Sequence, residues 1–104
     1  MKQKRWLSCI LILEKNIKDK SKLIINFYNS IGFCYYYLKI YSLSEYFYEQ
    51  AIRKKNNDTT ILCNLAQVYT KNNKYQQAIK IYQAVLRLES NNKVAQQQLD
   101  KLTT

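Results

Sequence analysis

Few side chains in this sequence could do chemistry, and their spacing limits what that chemistry would be. The thiols are Cys9, Cys34 and Cys63, and Glu45 and Glu49 stand four residues apart, where a helix would hold both carboxylates on one turn. Cys63 could serve as a nucleophile only beside a base and an oxyanion donor, and two carboxylates could share acid–base work only if their surroundings separated their pKa values. The chain has no His and a single glycine, Gly32, so an imidazole base and a glycine-rich phosphate loop are both missing. On a helix surface, carboxylates at i and i+4 read as solvated charges. The expectation is therefore no enzyme, no catalytic residue and no cofactor. An odd number of cysteines with no C-x-x-C pair fits neither a disulfide framework nor a zinc site, so no metal is expected and the thiols are read as reduced, in a reducing intracellular compartment.

The elements that must position these residues are helices. With no Pro and only Gly32, the 104 residues cannot build the many tight turns of a sandwich or barrel. Leu62, Leu65, Ala66 and Tyr69 fall at i, i+3, i+4 and i+7, and Tyr75, Ala78, Ile79, Tyr82, Val85 and Leu86 carry a second apolar stripe. Between them Lys71-Asn72-Asn73-Lys74 makes a polar break suited to a helix–helix turn, since Asn tolerates the left-handed conformation. A shift of 34 residues towards the N-terminus recovers the same pattern in Tyr28, Ile31, Gly32 and Tyr35, then Tyr41, Ser44, Tyr48, Ala51 and Ile52. Small residues recur in register, Gly32 over Ala66 and Ser44 over Ala78, which lets paired helices approach closely.

In these residues the chain resembles the tetratricopeptide repeat, a 34-residue helix-turn-helix with the pattern W-x2-L-G-x2-Y, A-x3-F, P. Leu62 stands for the Trp, Leu65 and Ala66 for the Leu-Gly pair, Tyr69 for the Tyr, Ala78 for the Ala and Tyr82 for the Phe, with Ser90 in place of the Pro. Tyr28, Ile31, Gly32, Tyr35, Ser44, Tyr48 and Ala51 follow the same register, with Asn56 in place of the Pro. Asn56-Asn57-Asp58 and Ser90-Asn91-Asn92 are read as the breaks and N-caps that the prolines would otherwise mark. The expected fold is all-α, tetratricopeptide-type repeats in a short right-handed α-solenoid. Four segments are expected: 1–24 a basic amphipathic helix equivalent to half a repeat, 25–58 and 59–92 the two repeats, and 93–104 a capping helix with Val94, Leu99 and Leu102 inward. Each repeat contacts only its neighbours, so so short a stack is expected to be marginally stable or to self-associate.

The resemblance implies a concave face lined by the first helix of each repeat and used for protein partners, a peptide or a helix. Its positions here are Asn26, Asn29, Phe33, Tyr36 and Tyr37, then Thr60, Cys63, Gln67, Thr70 and Lys71. The family's chaperone-tail pocket uses Lys and Asn at set places; Asn29 and Phe33 occupy the first repeat's two and only Asn64 matches, so that clamp is not expected.

The chain carries a net charge of +10, concentrated in residues 1–24, where Lys2, Lys4, Arg5, Lys15 and Lys18 form a basic surface. Trp6, Ile10, Leu13 and Ile17 give that segment an apolar stripe too short to span a bilayer, leaving a peripheral contact with an anionic membrane as an alternative use. Two repeats would read too few bases for RNA, so nucleic acid is not the expected partner. Nearly half of the residues are Lys, Asn, Ile, Tyr or Phe, the product of A/T-rich codons. Together with the repeat, this composition is similar to that of plastid-encoded tetratricopeptide proteins that assist photosystem I assembly at the thylakoid. That resemblance implies a plastid scaffold at the stroma or thylakoid surface. A cytosolic or membrane-surface adapter of an A/T-rich eukaryote is the alternative.

Overall fold

The computed structural model describes residues 21–104, which form five successive helices: α1 (Ser21–Tyr37), α2 (Tyr41–Lys54), α3 (Thr59–Lys71), α4 (Tyr75–Leu88) and α5 (Lys93–Thr103). No strand occurs among the described residues, and none of their helices is long and apolar enough to cross a membrane. Lys2, Lys4, Arg5, Lys15 and Lys18, with the stripe from Trp6 to Ile17, lie outside the described residues. The boundary drawn between residues 24 and 25 falls inside α1, because Leu23, Ile24 and Ile25 offer no helix breaker there. Residues 21–24 thus share a helix with the first repeat.

The connections repeat along with the helices. In the α1–α2 turn Lys39 has a φ of 63°, and in the α3–α4 turn Asn73 has the same value. The left-handed residue lets the chain reverse while the last carbonyls of the helix find partners, Ile40 N–H donating to Tyr35 C=O at 3.0 Å and Lys74 N–H to Tyr69 C=O at 2.8 Å. Asn at the second turn matches its known tolerance of this conformation; Lys39 shows that the register imposes it even without a favourable residue. The N-caps expected at the inter-repeat breaks are Asp58, which accepts from the Ile61 N–H at 3.1 Å, and Asn92, which accepts from the Ala95 N–H at 2.9 Å.

Within a repeat the two helices meet through small residues. Gly32 lies so close to Tyr48 that a Cβ added to it would sit 2.8 Å from the ring's Cδ1. Ser44, fully buried, donates its hydroxyl to the Gly32 carbonyl at 2.7 Å across the same contact. In the second repeat Ala66 and Ala78 are fully buried beside Tyr82 and Val85. α3 is sandwiched between α2 and α4, so it needs two apolar stripes. Leu62 and Ala66 pack with α4, whereas Ile61, Leu65 and Val68 pack with Tyr48 and Ala51 of α2. The spacing predicts Leu62, Leu65, Ala66 and Tyr69 as core, and the structure adds Ile61 and Val68 on the face turned to α2. Two further expectations need correction. Tyr75 is 47% exposed, since its hydroxyl reaches back over the turn to donate to Asn73 Oδ1 rather than joining the core. On α5 the residue buried under α4 is Ala95, and Val94, one position earlier on the helix, is exposed.

The carboxylates expected to be solvated are the inter-repeat ties. Glu45 is buried and reaches from α2 to the α3–α4 turn, where it accepts from the Lys74 ammonium at 2.7 Å and from Asn72 Nδ2 at 2.5 Å. One turn on, Glu49 accepts from the Tyr69 hydroxyl at 2.5 Å. Both carboxylates sit on the face of α2 that the second repeat covers, and the polar groups of that repeat replace their water. Tyr69 is pushed far above the ordinary phenol range by burial first and then by this bond, so it remains a donor at any physiological pH.

Two stability measurements on the full chain follow. Gly32→Val would force branched carbons into the Tyr48 ring, whereas Ser44→Ala removes one buried hydrogen bond; urea unfolding should show losses of about 2–3 kcal/mol and about 1 kcal/mol. Equal, small losses would mean that the helices do not meet at Gly32. At the tie, the Lys74 side chain is 42% exposed and can rehydrate, whereas that of Glu45 is 7% exposed and cannot. Lys74→Met, which leaves a buried carboxylate without its cation, should therefore cost more, about 2–3 kcal/mol, than Glu45→Gln at about 1 kcal/mol. The opposite order would contradict the buried-acid description.

Candidate partner-binding groove

α1, α3 and α5 occupy equivalent places in the 34-residue register, and they line one face together. An amide bridge joins α1 to α3 on this face: Asn64 Nδ2 donates to Asn29 Oδ1 at 3.2 Å. Two cavities open along it. The first, of about 460 Å³, lies between the first halves of α3 and α5 and takes in Thr60, Cys63, Asn64, Gln67 and Val94, with Glu89 and Asn92 at its edge. The second, of about 490 Å³, lies towards the C-terminal ends of the helices and takes in Tyr36, Gln67, Thr70, Lys71 and Gln98. Gln67 lines both, so the two hollows adjoin at its side chain along the same face.

The expected groove residues of α3, namely Thr60, Cys63, Gln67, Thr70 and Lys71, all line these cavities. Those of α1 divide. Tyr36 faces the second cavity while also packing against the core, and its ring stands 5.5 Å from Tyr37 and 5.9 Å from Tyr41. Phe33 and Tyr37 are exposed and meet edge to face at 4.6 Å, with further contacts of their own. Asn26 stands apart, in a smaller hollow of about 180 Å³ shared with Lys22, Ile25, Lys55 and Asp58.

Sequence reasoning missed the contributions of α5 and α4. Val94 and Gln98 line the groove 34 residues after Thr60 and Asn64, so extending the same register into the capping helix would have found them. Tyr82, on α4, also borders the second cavity. Its position in the pattern reads as core, and nothing in the spacing signals that its far end reaches the groove.

The electrostatics leave little for catalysis. Burial first and the Glu89 carboxylate second push the Cys63 thiol up, which keeps it protonated and unreactive near neutral pH. Glu89 itself is held below the usual carboxylate range by hydrogen bonds from Asn92 at 3.0 Å and Thr59 at 2.7 Å, which tie the α4–α5 loop to the start of α3. No group of His, Cys, Asp and Glu among the described residues is placed to hold a metal ion. What the groove offers is hydrogen-bond donors and acceptors, aromatic rings and one lysine.

Comparison with known proteins agrees with this architecture. The profile of the tetratricopeptide repeat matches residues 60–92. The chain is 38% identical over 85 residues to a protein called ycf37 of Pyropia yezoensis, covering 82% of this chain and 48% of that protein. It is 36% identical over 87 residues to ycf37 of Guillardia theta, with 84% and 48% covered. The chain thus spans about half the length of the curated relatives it matches. Among solved structures, the first tetratricopeptide domain of Spaghetti (RPAP3), bound to an HSP90 peptide, superposes with a TM-score of 0.85 at 23% identity, covering 98% of this chain and 82% of that one. With the 34-residue register, the small-residue helix contacts and the common face of α1, α3 and α5, these likenesses show a tetratricopeptide-type fold, with one repeat matched at residues 60–92.

Proposed function

We propose that the chain is a non-catalytic scaffold that takes a segment of a partner protein, a peptide or a helix, into the groove along α1, α3 and α5. The observation that carries this reading is the pair of cavities that adjoin at Gln67 on the face of α1, α3 and α5, lined by amides, hydroxyls and aromatic rings. Side chains of this kind suit recognition: Tyr and Phe supply large rigid contact area, and amides pair with a polypeptide backbone. The chaperone-tail partner of the RPAP3 domain does not transfer. Phe33 stands at a place where that clamp needs a polar group, and the Asn64 amide is already engaged with Asn29.

The finer reading is an accessory factor for photosystem I assembly, working in a plastid at the stromal surface of the thylakoid. The algal ycf37 relatives support it, as does the A/T-driven composition that resembles plastid-encoded assembly factors. Affinity capture from the source cells tests both levels. Wild type should recover a protein partner, with photosystem I subunits among the recovered chains and the bait in the thylakoid fraction. Phe33→Ala combined with Tyr36→Ala should reduce recovery about tenfold or more. Unchanged recovery of every partner would refute the groove, and a purely cytosolic location would end the plastid reading while leaving the groove intact.

A further inference from the structure

Tyr82 is 1% exposed, yet it borders the second cavity, and its hydroxyl has no hydrogen-bond partner among the described residues. Among the described residues no buried side-chain nitrogen or oxygen lacks a partner: Ser44 has the Gly32 carbonyl, and Glu45 has Lys74 and Asn72. The unpartnered Tyr82 hydroxyl is therefore not sealed in the core but reaches solvent through the cavity that the residue borders. Here the ring fills the core of the second repeat and the hydroxyl ends at the floor of the groove. The repeat pattern carries Phe at this place, so the repeat itself does not require the oxygen.

The side chains that line the cavity can all donate hydrogen bonds, and its amides and hydroxyls can also accept them. Lys71 is exposed on the rim and has no ion-pair partner among the described residues, where the single ion pair is Lys74 with Glu45. Gln67 and Gln98 bring amides from α3 and α5, and Tyr36 brings a second phenol from α1. No carboxylate lines the cavity. Burial first, with smaller contributions from Cys63 and Tyr36, pushes the Tyr82 phenol up to about 12, so it stays protonated and able to donate. A hollow of about 490 Å³ holds one side chain of a bound polypeptide comfortably.

Resting on the groove reading, we propose that this cavity is a carboxylate subsite: an acidic group of the partner polypeptide enters between α3 and α5, accepts from the Tyr82 hydroxyl at the floor and pairs with the Lys71 ammonium at the rim. The site differs from the family's chaperone-tail clamp in place and composition. That clamp's surviving residue here, Asn64, lines the other cavity, and the floor donor comes from α4 rather than from a groove helix.

The chemistry could come from an Asp or Glu side chain or from a chain terminus, and peptide pools separate the two. Three pools of N-acetylated heptapeptides with random flanks serve as probes: central Glu with an amidated end, central Gln with an amidated end, and central Gln with a free terminal carboxylate. Binding to the full chain is read from the Tyr82 ring signals in NMR spectra and by fluorescence anisotropy. A carboxylate-bearing pool should move the Tyr82 signals and bind about tenfold more tightly than the neutral pool, and whichever of the two does so identifies the source. Tyr82→Phe, which restores the pattern's usual residue, and Lys71→Met, on the surface, should each lower that binding about tenfold with helix content unchanged. The subsite is overturned if the neutral pool binds as well as the acidic ones, if no pool moves the Tyr82 signals, or if both variants bind like wild type. Should Phe33→Ala with Tyr36→Ala lose the captured partner while Tyr82→Phe keeps it, the groove stands and the subsite falls.

Discussion

The structure depends on how closely the two helices of a repeat can approach. Tyr48 lies across α1 only because residue 32 has no side chain, and the hydroxyl of Ser44 fastens that approach from the other side. Tyr82 repeats the arrangement over Ala66. The Tyr82 ring extends from α4 to the second cavity of the groove. The residue that fills the second core therefore also floors a cavity of the groove, and packing and recognition share one side chain. Losing the close contact would move the floor as well as weaken the core.

Acidic side chains show how the remaining charge is arranged. Among the described residues, Glu45 and Glu49 tie the first repeat to the second, Asp58 caps α3, and Glu89 holds the α4–α5 loop to Thr59. These carboxylates are occupied by internal partners, whereas lysines such as Lys71 project from the surface without ion pairs among the described residues. The second cavity of the groove thus meets a partner with hydrogen-bond donors and the Lys71 ammonium. The internal use of these acids is why no carboxylate lines the second cavity.

Much of the fold was legible because the physics is periodic. The 34-residue shift located both helix pairs, the polar break at Asn72-Asn73 marked a left-handed turn, and Asp58 and Asn92 announced the N-caps. What stayed hidden depends on a second neighbour in space. One apolar stripe predicts one packing face, yet α3 is covered on both sides, so Ile61 and Val68 are core. Glu45 looks solvated on an isolated helix and is buried only because the next repeat lies on it. Most of the groove positions on α3 could be read from the register, while Tyr82 could not, since the pattern specifies where a ring begins and not where its hydroxyl ends.

The central claim is that the common face of α1, α3 and α5 receives the partner. Site-specific photocrosslinking in the source cells tests it most directly. A photoreactive phenylalanine analogue would replace Gln67, which both cavities share, and in a separate variant Lys80, which is exposed on α4. The account predicts partner adducts from position 67 and none from position 80. Adducts from position 80 with none from position 67 would place the partner on the opposite face and contradict it.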